Sequence, residues 1–169
     1  LIHHLQAQSQ KMQLPTTLMT FEPQPREFFA GAVLPARLTR FREKVHLLER
    51  TGLDRLLCVP FNEQTSQIPA EWFAEEFLTE LVGAQYVVIG DDFRFGHERK
   101  GDFQLLQNTG ARLGYEVISV DTVLQGGDRV SSTLVRSTLS AGDFAKAAEL
   151  LGHEYFIMGR VVYGRQLGR

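Results

Sequence analysis

The chain has 169 residues, 43% hydrophobic and 22% charged, a composition that fits one folded domain with enough apolar material for a core. Its formal net charge of −2 lacks the basic excess of a nucleic-acid binder, and the single cysteine, Cys58, excludes a disulfide framework and suits a reducing compartment. No apolar run reaches the ~20 residues of a membrane span and no basic-then-apolar leader opens the chain, so a soluble cytoplasmic protein is expected.

Taken in order, residues 1–10 read as the tail of a helix, with Ile2 and Leu5 apolar among glutamines. His3 and His4 are adjacent, so on a helix they point ~100° apart and make a poor metal pair; a surface place is expected. Residues 16–21, TTLMTF, have the content of a buried strand. The strand runs into FEPQPREFF, where Pro23 and Pro25 remove backbone donors and hold the chain extended. With Phe21, Phe28 and Phe29 this is a stiff aromatic loop, able either to stack on a flat heterocycle or to fold onto the core.

Residues 40–50 carry apolar side chains at helical spacing, with Thr39 as the cap and Gly52 as the stop. DRLLCVPF, residues 54–61, reads as a strand in which Cys58 is a buried packing residue. A helix over 69–81 follows, with Pro69 in its first turn and Trp72, Phe73, Phe77 and Leu81 as a core-facing stripe. After Gly83, QYVVI at 85–89 is the most strand-like run of the sequence, and it enters GDDFRFGHERKGD. Gly90, two carboxylates, two aromatics and a basic cluster at a strand end form one candidate site. The alternative for Arg94, His97, Arg99 and Lys100 is a solvated charged loop.

Asp102 can cap a helix over 103–113, and YEVISV at 115–120 is again a strand. Strands alternating with helices argue for an α/β fold with a parallel sheet and right-handed crossovers, whose ligands gather at the carboxyl ends of the strands. RVSSTLVRSTLSAG, residues 129–142, is the other candidate site. Ser131, Ser132 and Thr133 stand at a helix start, where unpaired amides and the positive dipole end favour an anion, and Arg136 follows on the same face. The plain alternative is a Ser/Thr cap beside a solvated arginine. Asp143 caps a short helix, FAKAAELLG, and residues 155–163 read as a strand. No internal repeat, metal-ligand spacing or Ser/His/Asp triad order is present.

In combination, VIGDDFRFGHERKGD, RVSSTLVRSTLSAGD and AAELLGHEYFIMGRVVYGRQLGR, with TFEPQPREFF and PARLTRFREKVHLLERTGLDR before them, resemble the bacterial bifunctional riboflavin kinase and FMN adenylyltransferase family, also called FAD synthetase. The resemblance covers nearly the whole chain. It implies transfer of AMP from ATP to FMN, with Mg2+, giving FAD and pyrophosphate, on the Rossmann-like parallel sheet of the nucleotidylyltransferase superfamily. By position it implies that Ser131, Ser132, Thr133 and Arg136, with Gly90 on the ATP side, hold the phosphates and that Arg129 is a second phosphate-binding arginine. Arg129, Ser132, Thr133 and Arg136 are thereby the catalytic candidates. Asp92 matches a position that is often Asn in the family, near the flavin phosphate or ribityl chain; Phe29 and Phe95 match aromatics beside the isoalloxazine ring, and Pro23 and Pro25 a flap over it.

The superfamily's first catalytic motif, HxGH, does not occur, and the chain starts just after the place where it is expected. GRVVYGRQLGR resembles the entry strand of the kinase barrel without the P-T-A-N motif that follows it. The expected organisation is therefore an adenylyltransferase domain over 1–153 without its first strand, then the truncated start of a kinase domain over 154–169, in a fragment. FMN and ATP are the expected partners, with no nucleic acid and no membrane. Another adenylyltransferase of the superfamily, or a catalytically incomplete flavin-binding fragment, remains the alternative.

Overall fold

The computed structural model describes residues 1–30, 35–125 and 128–164. It is a mixed α/β fold with small parallel sheets in two compact units, one of residues Leu1–Pro35 with Thr51–Val123, the other of Ala36–Arg50 with Leu124–Arg169.

In the first unit, α1 (Ile2–Met12) ends at a left-handed Gln13. His4 belongs to its surface, where its ring meets Tyr86 at 6.3 Å. Strand β1 (Thr17–Glu22) pairs in parallel with β2 (Arg55–Pro60), from Thr17 opposite Arg55 to Glu22 opposite Pro60. The register is locked at its start: the Thr16 amide and hydroxyl donate to Asp54 Oδ2 at 2.7 and 2.8 Å, and the Asp54 amide donates back to Thr16 Oγ1 at 2.9 Å. Those bonds to Thr16 hold the Asp54 carboxyl below its usual range. Strand β3 (Tyr86–Gly90) pairs in parallel with β4 (Glu116–Val120) through α6 (Phe103–Leu113), which Asp102 caps by accepting from the Leu105 amide at 3.0 Å. Ile89, Leu106, Tyr115 and Val117 are core residues of this half. Burial pushes the Tyr115 phenol up, and its hydroxyl donates to Ala74 O at 2.9 Å.

Three expectations are corrected in this unit, the extended proline loop, the regular helix over 69–81 and the buried Cys58. The described strands form two two-stranded parallel sheets, with no ladder between β1 and β3 among the described residues. The space between them is a slot of about 450 Å³ lined by Leu5, Leu18, Met19, Val87, Ile89 and Phe77 among others. The proline loop is not extended throughout: Pro25 begins a short helix, α2 (Pro25–Phe29), because its fixed φ suits a first helical turn as well as an extended chain, and the Gln24 amide donates to Glu27 Oε2 at 2.9 Å. Between β2 and the next long helix lies α4 (Glu63–Ser66), which the sequence pattern did not show.

The helix predicted over 69–81 begins as α5 (Ala70–Trp72) and continues as a π-helix over Phe73–Leu81. Its wider turns move the buried face to Ala70, Ala74 and Leu78, leaving Phe73 and Phe77 half-buried and Leu81 68% exposed. Cys58 is exposed rather than buried.

In the second unit, α3 (Phe41–Glu49) is capped at Arg40, not Thr39: the Glu43 carboxylate accepts from the Arg40 amide at 2.6 Å. The same carboxylate accepts from the Met158 amide at 2.8 Å, and these two backbone bonds hold its pKa low. A hairpin of β5 (Leu124–Gln125) and β6 (Asp128–Arg129) leads to α7 (Ser132–Ser140), and α8 (Phe144–Leu151) follows, capped by Asp143 accepting from Lys146 N at 2.9 Å. Val135, Ala147 and Leu150 are buried. The strand expected over 155–163 is absent: the segment through Gly164 is irregular, with Val161 and Tyr163 almost fully exposed. A strand exists only as part of a ladder, and no described residue pairs with it.

Candidate functional site

The first unit holds a cavity of about 780 Å³ at the carboxyl ends of β1 and β2, built from aromatic rings. Phe21 is the penultimate residue of β1, Phe61 directly follows β2, and Phe28 and Phe29 lie on α2. Phe61 meets Phe21, Phe28 and Phe29 at centroid distances of 5.4, 5.5 and 5.7 Å, all edge to face. A second set comes from the π-helix and the loop after β3: Phe73 stacks on Phe77 at 5.1 Å, Phe73 meets Phe95 at 5.1 Å, and Phe93 stacks on Phe95 at 5.6 Å. Phe21, Phe29, Phe61, Phe73, Phe77, Phe93 and Phe95 all line the cavity. Ring faces and edges at these separations attract one another and would attract a flat aromatic ligand in the same way.

The rim is a tight turn held closed by an antiparallel bridge, in which the Phe95 amide donates to Gly101 O at 3.2 Å and the Gly101 amide to Phe95 O at 2.9 Å. Within it Gly96, Glu98 and Arg99 all have left-handed φ, of 73°, 54° and 58°. At Gly96 a Cβ would stand 2.6 Å from the Ala70 backbone, so only glycine fits. The loop's charged side chains are largely exposed, as the alternative reading has it, while its backbone is pinned. The His97 amide donates to Ile68 O at 2.7 Å, its Nδ1 meets Ser66 O at 3.2 Å, and Arg94 pairs with Asp102 at 3.0 Å. Lys100 pairs with Glu98 at 2.6 Å, which lowers the Glu98 pKa and raises that of Lys100.

Of the residues expected at the flavin, Pro25, Phe29 and Phe95 line this cavity, while Pro23 and Asp92 do not. Gly90 lines the slot between β1 and β3 instead. Asp91 straps the ends of β3 and β4, accepting from the Thr122 amide at 3.2 Å and from its hydroxyl at 3.0 and 2.9 Å. Asp92 is exposed beside it. Three aromatic lining residues escaped the sequence reading as site residues: Phe61, Phe73 and Phe77. Phe61 closes the strand-like run 54–61 as Phe21 closes the run 16–21, and that shared place in the sequence was a usable signal. The two on the π-helix were assigned to the core, and nothing local marks the winding that exposes them.

The second unit carries the hydroxyl cluster. Ser131 caps α7, its Oγ accepting from the Leu134 amide at 3.2 Å, so it is committed to the helix. Ser132 and Thr133, in the first turn, are exposed. Arg136 stands one turn on; its Nε donates to Ala36 O at 2.7 Å, which orients a guanidinium that has other N–H donors. Arg129 ends the hairpin three residues before α7 and is exposed. Among the described residues no cluster of three or more His, Cys, Asp or Glu could hold a metal, and no helix is long and apolar enough to cross a membrane.

Against known proteins, the chain matches the family described as FAD synthetase over residues 1–134. It is 45% identical over all 169 residues to the bifunctional riboflavin kinase/FMN adenylyltransferase of Escherichia coli strain K12. It is 40% identical to the protein of that name from Pseudomonas fluorescens over 169 residues, and 37% identical over 168 to that from Haemophilus influenzae. The chain spans about half the length of these curated relatives, 54% in each case. Among solved structures, one titled as a macrolide-efflux protein from Streptococcus pneumoniae matches with TM-score 0.75 and 26% identity, over 92% of this chain and 58% of that one.

Proposed function

From the premise that the chain belongs to the FAD synthetase family, we propose that it supplies the adenylyl-transfer half of a bifunctional enzyme, moving AMP from ATP to FMN and releasing FAD and pyrophosphate. The observation that carries this reading is the aromatic cavity at the strand ends, where rings stand ready for a flat heterocycle. The isoalloxazine ring is assigned to that cavity, with Phe29 and Phe95 against it and Pro23 and Pro25 in the flap. Asp92 is assigned to the ribityl phosphate, beside a cation. The ATP phosphates are assigned to Ser131, Ser132, Thr133, Arg129 and Arg136, with Gly90 on the ATP side; the start of α7, with exposed hydroxyls and an arginine one turn on, supports this.

Chemistry needs no protein nucleophile. An oxygen of the FMN phosphate, already an anion, attacks the α-phosphorus of ATP in line as the bond to pyrophosphate breaks. The chain's residues orient the two phosphates and neutralise the charge gathering on the leaving group. Mg2+ would come with ATP, bound mostly by phosphate oxygens and needing few protein carboxylates. When bound it offsets phosphate charge.

The reading further places an adenylyltransferase domain at 1–153 on a Rossmann-like sheet and the beginning of a riboflavin kinase domain at 154–169, in a cytoplasmic protein. The apolar slot between two parallel strand pairs supports a further central strand bearing HxGH, which this sequence lacks. A flavin-binding unit without turnover is the second reading, favoured by the same slot. The test is FAD formation from FMN, ATP and Mg2+ by the chain and by the longer relative-length polypeptide. Turnover in neither would sink the proposal; binding without turnover in the chain alone would select the second reading. Arg136→Ala is expected to lower turnover at least tenfold, about 1.4 kcal/mol of transition-state stabilisation, with the fold intact by circular dichroism.

A further inference from the structure

Helix α2 is too short to hold its own place. It has five residues and none of them is buried; isolated helices of such length are far below the ~12 residues at which helical structure becomes marginally stable in water. Phe28 is 40% and Phe29 67% exposed, so their rings are fixed by neighbours or not at all. Among the described residues the rings they meet are each other and Phe61. Phe61 also meets Phe21, the penultimate residue of β1.

Phe61 is itself held firmly on both sides. Its amide donates to Glu22 O at 3.3 Å, continuing the bond pattern beyond β2. The next residue, Asn62, begins a reciprocal cap on α4, its amide donating to Thr65 Oγ1 at 2.7 Å and its Oδ1 accepting from Thr65 N at 3.0 Å. A rigid backbone thus carries one half-buried ring to which a weak helix is attached edge to face. We infer that Phe61 is a positioning residue, which holds Phe29 over the aromatic cavity and so sets affinity for the flat ring system of the ligand, whatever its phosphate. This deepens the flavin reading above and rests on it.

The inference separates ring from phosphate. If the roof formed by Phe29 and Phe61 reads only the ring, removing the Phe61 ring weakens FMN and riboflavin by the same factor. If Phe61 acts through Phe29, removing both costs no more than removing Phe29 alone, because coupled residues are not additive. The experiment titrates FMN and riboflavin into the 169-residue chain and follows quenching of flavin fluorescence, with urea unfolding as the control for folding.

For Phe61→Ala we expect both dissociation constants to rise about tenfold, the scale of losing two aromatic contacts, and for Phe61→Tyr to restore them within about threefold. Phe61→Leu, which keeps bulk but not the ring, covers the case in which the alanine variant unfolds; it should weaken both ligands about fivefold. The double variant Phe29→Ala, Phe61→Ala should match Phe29→Ala. Unchanged affinity in the folded leucine variant, a loss confined to FMN, or additive losses in the double variant would each overturn the inference while leaving the flavin reading standing. Absence of quenching by the unsubstituted chain would instead remove the flavin reading, and this inference with it.

Discussion

Phe95 in the cavity of the first unit is 8% exposed and touches two other rings, whereas Ser132 and Thr133 in the second unit lie open on the first turn of α7. The cavity is made by tertiary packing of rings that come from five separate segments. The helix start is made by local geometry, since any helix of this kind turns its first amides outward. Binding and stability are therefore fused in the first region and separable in the second. Within the cavity the same division recurs, between a floor packed into the core and a roof carried by α2.

Substituting Phe95 and Phe29 is the strongest test of that division. Phe95→Ala should lower unfolding free energy by about 3–5 kcal/mol, because it empties a buried site. Phe29→Ala should change it by less than about 0.5 kcal/mol and yet weaken FMN about tenfold. Urea unfolding and flavin titration of both variants measure the two quantities; equal stability losses would erase the distinction between floor and roof.

Gly96→Ala should cost about 3 kcal/mol, since the new Cβ meets the Ala70 backbone at 2.6 Å and sits at a φ of 73°. The rim turn would then be as much a part of the core as Phe95, and a midpoint unchanged in urea would show that it is not. In the second unit, Ser131→Ala should cost only about 1 kcal/mol, the value of a helix cap. Its effect on turnover should stay small, because its hydroxyl already serves the Leu134 amide; a hundredfold loss of turnover would move Ser131 from cap to phosphate ligand.

The smallest effect expected is on pH. Asp54 in the first unit and Glu43 in the second are both held below their usual range by bonds from backbone amides. A carboxyl with a depressed folded pKa contributes stability that is present above its unfolded pKa and is lost as pH falls through the folded value. Stability should thus decline on acidification below the ordinary carboxylate range. Asp54→Asn and Glu43→Gln should each flatten that decline, and an unaltered slope in both would place the acid sensitivity elsewhere.

Much of the local structure was legible. Strands at Thr17, Arg55, Tyr86 and Glu116 fell within a residue or so of their expected starts, and the Asp102, Ser131 and Asp143 caps did so by their side-chain chemistry. The pairing of those strands was not legible, because a hydrophobic run states that a strand is buried and not which neighbour it finds. That β1 and β3 border a slot therefore has no sign in the sequence. Residues 155–163 show the same limit, since an apolar, β-branched run forms no strand without a ladder. At the candidate site, Pro25, Phe29 and Phe95 were read from their motifs and do line one cavity. Phe61, Phe73 and Phe77 were missed because their lining role depends on a turn of helix or a strand end that only tertiary packing defines.

The exposed Cys58 turns a packing error into a practical handle. It is the only cysteine in the sequence, and it lies on β2 next to Val59, which lines the aromatic cavity. Successive strand residues point to opposite sides. A maleimide dye or spin label would therefore attach at one known atom, outside the cavity yet one residue from its wall. The chain thus carries a natural attachment point from which changes in the aromatic chamber can be watched in solution without introducing a thiol.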